Sequence, residues 1–195
     1  MLTYIFNYLF AALVFIILAL LIGKLLDTFS QGFINFLSSL IGARLAEFIC
    51  NYVMFVGVIF HELSHALLAF LTGAKVTKIC LYKLSHRDGR LGCVYYTPRG
   101  PVVLRAVQNC LSAMAPAICG IGFTLAALHA YKLGYIDDRY NILFYYIVTS
   151  IFFHARLSSV DMKAMLKGLP ICYVIIALLF MFLRIDINGL LYLGG

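Results

Sequence analysis

The chain has 195 residues, of which 64% are hydrophobic and only 12% charged, and its mean hydropathy is +0.99. Soluble domains carry roughly 25% charged residues, so this composition excludes a water-soluble enzyme and a disordered chain and leaves an integral membrane protein. The formal charge of +7 reads as loop bias against anionic lipid, with no implication of nucleic-acid binding.

A membrane span needs about 20 residues, which leaves room for about five spans joined by short loops. The expected fold is an all-α polytopic membrane protein. It has about five transmembrane helices, an interfacial amphipathic helix and a cytoplasmic-side β-hairpin, in one domain over 1–195. Leu2 to Leu26 forms the first apolar run. It is too long for a signal-peptide core and has no basic start, so residues 1–27 read as an uncleaved N-terminal span. In 28–44, Phe29, Phe33, Phe36, Leu37, Leu40 and Ile41 recur at helical spacing opposite Gln31, Asn35, Ser38 and Ser39. That stripe predicts an amphipathic helix in the membrane interface, with a short sixth or re-entrant span as the alternative.

The second span covers 45–72. In the polar stretch that follows, Val76–Leu84 and Arg90–Thr97 are β-rich and flank the turn Ser85-His86-Arg87-Asp88-Gly89, which predicts a β-hairpin within 75–98. The remaining helices are predicted at 102–131, with Pro116 as a kink site, at 140–168 and at 169–195. Lys75, Lys78, Lys83, Arg87, Arg90 and Arg99 stand against Asp88 alone in the hairpin. Arg156, Lys163 and Lys167 follow the fourth span. The positive-inside rule therefore puts both segments, and the N-terminus, on the cytoplasmic side of the cell membrane. Of the six cysteines none forms a CxxC pair. Cys80 and Cys93 face each other across the expected hairpin and are expected to be reduced there.

The chemistry-bearing pattern is His61-Glu62-Leu63-Ser64-His65, an H-E-x-x-H. Residues i and i+4 share a helix face, so both imidazoles can reach one zinc ion. Glu62 lies about 100° round the helix, where it can serve as general base for a metal-activated water. It is one of only two glutamates in the chain, and an ionisable group inside a span costs roughly 2.5–3.5 kcal/mol or more, which marks it as functional. The alternative is a hydrogen-bonded His-Glu-His packing cluster without metal.

The stretch Phe60-His61-Glu62-Leu63-Ser64-His65-Ala66-Leu67, followed by Thr72-Gly73-Ala74-Lys75-Val76, resembles the zinc helix of the site-2 protease family of intramembrane zinc metalloproteases. The nearest likeness is to the small bacterial branch without a PDZ domain. The resemblance covers about residues 45 to 170. It implies an intramembrane metalloendopeptidase that binds one Zn2+ and cuts membrane-embedded protein or peptide substrates, with the bilayer as its other partner. It also implies that the third zinc ligand is Asp161. The stretch Ser158 to Pro170 is similar to the branch's S-D-A-x-x-L-x-x-x-x-G-x-P ending, and departs from the Leu-Asp-Gly form of the larger relatives. Other acids are poorly placed: Glu47 is about four turns from His61, and Asp137 and Asp138 fall on the opposite side. Ser158 and Asp161 also fit a helix-capping box with no metal role.

Two weaker candidates complete the site. Asn109, in the polar interruption of the third span, could polarise a scissile carbonyl, since some family members place an asparagine near the scissile bond, or make an interhelical hydrogen bond. His154 precedes Asp161 by seven residues and, on a continuous helix, shares its face. It could replace a ligand, donate to an oxyanion or simply sit at the interface. Two other function classes remain open: a non-catalytic relative that grips membrane peptides, and a membrane metal-dependent hydroxylase, which would need more histidine clusters than the five histidines here supply.

Overall fold

The computed structural model describes residues 2–82 and 91–183. The predicted turn at 85–89, with Lys83, Arg87 and Arg90 beside or within it, and the last part of the final predicted span, 184–195, lie outside the described residues. Among these residues there are six α-helices and one two-stranded antiparallel sheet. In chain order these are α1 (Leu2–Ile41), α2 (Ala43–Phe48), a π-helical turn (Ile49–Val53), α3 (Phe55–Leu71), β1 (Lys75–Cys80), β2 (Cys93–Thr97), α4 (Val102–Lys132), a 3-10 turn (Asp138–Tyr140), α5 (Asn141–His154) and α6 (Ser159–Phe182).

Among the described residues, three helices are long and apolar enough to cross a membrane: α1, α4 and α6. A fourth crossing arises if α2 with its π-turn and α3, bent by 54° at residue 54, count as one broken span. This is fewer than the five expected, because α5 has only 14 residues, about 21 Å at 1.5 Å per residue, short of the roughly 30 Å hydrocarbon core.

The chain also departs from the expected boundaries at two places. Residues 28–41 do not form a separate interfacial helix: α1 runs unbroken for 40 residues, with the Thr28 hydroxyl bonded back to the Lys24 carbonyl in the same ladder. Part of the stripe on this half packs on protein. The Ser30 hydroxyl donates to the Phe153 carbonyl, the Phe33 ring stacks edge-on against Phe153 at 5.2 Å, and Ile34 and Leu37 pack on Cys50, Met54 and Phe153. At about 60 Å, α1 is twice the hydrocarbon thickness, so it cannot cross straight and end within the bilayer.

The second departure falls at residues 155–158. The predicted helix over 140–168 is divided there: α5 stops at His154, and α6 starts at Ser159 and continues through Pro170. Ser158 supplies the physical reason. It is extended, its hydroxyl accepts the Asp161 backbone N–H, and the Asp161 carboxylate accepts the Ser158 backbone N–H, a complete capping box that starts a new helix. His154 and Asp161 consequently sit on different helices.

The interior is built from small side chains. Ala106, Ala113, Ala115, Ala117 and Gly120 line the buried face of α4, which packs against α3 on one side and α6 on the other. Such residues let helix backbones approach where lipid offers no hydrophobic drive to association. Pro116 is buried within α4, and the helix continues through it. Gly57 of α3 allows the same close approach: a Cβ there would overlap the Ser150 carbonyl of α5. Its N–H donates to the Ser150 hydroxyl, which in turn donates to the Met54 carbonyl.

The hairpin pairs Lys75 with Thr97 through Cys80 with Cys93, with an irregularity between Val76 and Lys78. Cys80 and Cys93 are directly opposite and free. A buried side chain fixes the sheet to the helices. Gln108, with no exposed surface, donates to the Thr72 carbonyl at the end of α3 and accepts the Arg99 backbone N–H just beyond β2. One amide thus holds the chain where it enters and where it leaves the hairpin.

Candidate metal centre

The i, i+4 spacing of α3 puts His61 and His65 on one face, their rings 4.8 Å apart. Each ring is oriented by a backbone carbonyl. His61 Nδ1 donates to the His154 carbonyl at 2.8 Å, and His65 Nδ1 donates to the Ser112 carbonyl at 2.7 Å. A carbonyl oxygen only accepts, so both protons sit on Nδ1 and both Nε2 atoms face the site. The two Nε2 atoms are 3.1 Å apart. In neutral rings this opposes two lone pairs, an arrangement that calls for a cation between them, either a proton or a metal ion.

Asp161 completes the group. Its Oδ1 lies 3.4 Å from His65 Nε2 and its Oδ2 3.9 Å from His61 Nε2. The three donors all fall within 4.8 Å of one another. Ligands of a tetrahedral ion with bonds near 2.0–2.1 Å are separated by about 3.3 Å, so the observed spacings suit one four-coordinate metal with a position left open. The cap and the site use the same carboxylate: Oδ2 accepts from the Ser158 backbone and hydroxyl while Oδ1 points at His65. Capping and ligation are thus compatible at this residue.

Glu62 is 9% exposed and takes part in no hydrogen bond among the described residues. Its carboxylate borders a cavity of about 670 Å³ that also touches His61, His65, Asp161, His154 and hairpin residues 91–94 and 96. The lead-in to β2 passes so close that a Cβ on Gly92 would overlap the Glu62 side chain. The base of the cavity is therefore a tri-dentate donor set with an unengaged carboxylate beside it, roofed by the hairpin.

The remaining predicted residues divide. The His154 carbonyl orients His61, and its ring borders the cavity with Nδ1 on the Ser150 carbonyl. That ring is not among the three clustered donors. Asn109 does not border the cavity; its side-chain oxygen lies 3.5 Å from the Tyr96 hydroxyl. Tyr96 itself is not among the sequence candidates. It borders the cavity, and burial pushes the pKa of its phenol above the ordinary tyrosine value, so it stays protonated. Only strand alternation could have pointed to it, and alternation does not say which face meets a site. Arg156 and Glu47 also border the cavity, with Arg156 within 3.9 Å of Asp27 of α1. Neither protein-family models, curated proteins nor solved structures yield a match to this chain.

Proposed function

We propose that the chain is an intramembrane zinc metalloendopeptidase that hydrolyses peptide bonds of membrane-embedded substrates. The observation that carries the reading is the donor set His61 Nε2, His65 Nε2 and Asp161 Oδ1 beside the Glu62 carboxylate, which has no hydrogen bond among the described residues, on one cavity wall. These three atoms would hold one Zn2+. A bound zinc ion supplies Lewis-acid chemistry, lowering the pKa of water toward 7 and polarising a carbonyl.

The chain's own residues do the rest. Glu62 takes the proton of the attacking water on its carboxylate and returns it to the leaving amide nitrogen. The His154 and Ser112 carbonyls hold both imidazoles in the tautomer that leaves Nε2 free, which raises their basicity as ligands. A transmembrane helix hides its own peptide bonds, so it has to be unwound first. Among the described residues β2 pairs on one edge only, and its other edge would hold an extended segment by strand addition. The loop charges favour a cytoplasmic position for the N-terminus, the hairpin and the cavity mouth, where Cys80 and Cys93 stay reduced.

The test uses the full chain, loaded with zinc in detergent, and a quenched-fluorescent single-span peptide. The wild type is expected to cleave it, and Glu62→Gln to lose at least a thousandfold in rate while keeping its zinc. Full activity in Glu62→Gln would overturn the mechanism. Stoichiometric zinc without cleavage would favour a peptide-gripping relative, and two irons per chain a hydroxylase.

A further inference from the structure

Hydrolysis of an amide builds negative charge on its carbonyl oxygen, and a fixed donor aimed at that atom is commonly worth about a hundredfold or more in rate. Asn109, the sequence candidate for this role, does not border the cavity. The residue it bonds does. Tyr96 is carried on β2, where pairing with Val76 fixes its backbone and the Gln108 clamp fixes the strand's exit. Tyr96 lines the same cavity as His61, Glu62, His65 and Asp161.

We infer that Tyr96 is a catalytic hydrogen-bond donor, its phenol O–H directed at the carbonyl oxygen of the bond being cut. This rests on the hydrolase reading above and adds to it a residue outside the metal-binding motif. The hydroxyl's contact with Asn109 Oδ1 is long, 3.5 Å, at the outer limit of a hydrogen bond. A phenolic hydrogen turns about its C–O bond without moving the ring, so it passes readily from the neutral amide to an oxygen gathering charge. No proton is transferred: Tyr96 keeps its hydrogen throughout, and the proton traffic stays with Glu62. Until substrate arrives, the hydroxyl rests on Asn109 Oδ1. The neighbouring Tyr95 is 52% exposed, and its side chain does not border the cavity, which makes it the natural control.

Two short Leu-Ala peptides, one carrying a phosphonate in place of the scissile amide and one a terminal thiol, separate this role from a structural one. Both reach the metal, and only the phosphonate presents the extra charged oxygen that mimics the reacting carbonyl. Calorimetry on the zinc-loaded full chain is expected to show Tyr96→Phe binding the phosphonate about thirtyfold more weakly and the thiol unchanged, with Tyr95→Phe like wild type for both. In the cleavage assay kcat falls about a hundredfold with KM unchanged. Equal weakening of both inhibitors would mean that Tyr96 merely shapes the cleft, and equal retention of both would mean that it donates to nothing; either overturns the proposal and leaves the hydrolase reading standing. Failure of both inhibitors to bind wild type would overturn the hydrolase reading and this inference together.

Discussion

α3 and the start of α6 bring donors to the same point by different means. On α3 the two histidines are placed by helical periodicity, and their rings are held by main-chain carbonyls of α5 and α4. On α6 the carboxylate is placed by a helix cap, and it is held by the main-chain N–H and the hydroxyl of one residue, Ser158. The first arrangement has no side chain whose loss would release a ring. The second has one: the Ser158 hydroxyl shares the carboxylate with its own main-chain N–H. Robustness in the α3 arm therefore lies in helix packing, and fragility in the α6 arm lies in local chemistry.

That contrast can be broken from either end. The largest effect is expected at Gly57, where an added methyl group has to push α3 away from the Ser150 carbonyl and the His154 ring. Gly57→Ala should destabilise the fold by about 1–3 kcal/mol, as overpacking does. It should also shift the His154 carbonyl that orients His61, lowering the midpoint of thermal unfolding and the metal affinity together. A stable Gly57→Ala protein with wild-type affinity would show that the α3 arm does not depend on this close approach. A smaller, more selective effect is expected at Ser158. Ser158→Ala removes the cap hydroxyl, at about 1 kcal/mol, and leaves the Asp161 carboxylate on the main-chain N–H alone, with more freedom to rotate. Metal affinity should fall about tenfold, in the range usual for groups that orient a ligand, and Ser158→Thr should restore most of it. Competition with a fluorescent zinc chelator reads both values.

The same contrast separates what is legible in the amino-acid sequence from what is not. His61, Glu62 and His65 are four residues apart or fewer, and a helix converts that spacing into a shared face without further information. The class of fold and the hairpin are legible for similar reasons: apolar runs and β-branched alternation are local signals. Asp161 lies 96 positions beyond His65, and its placement beside the histidines depends on how α4 spaces α3 from α6, which no local pattern records. The break at 155–158 is readable only as a capping box, whose consequence for His154 is that its main chain, and not a shared helix face, meets the site. Carbonyl groups of His154 and Ser112 do their work whatever side chain they carry, so residue type gives no sign of them. The continuity of α1 is hidden for the opposite reason: a stripe that packs on α5 has the same periodicity as one that lies on lipid.

A metal centre whose third ligand comes from the start of α6 is tested most directly by the zinc content of the purified full chain beside that of Asp161→Ala, by elemental analysis after exhaustive dialysis. One zinc per wild-type chain and a large loss in Asp161→Ala, with both proteins folded, is the expected result. Wild-type chain without zinc, or Asp161→Ala with its zinc unchanged, would contradict it.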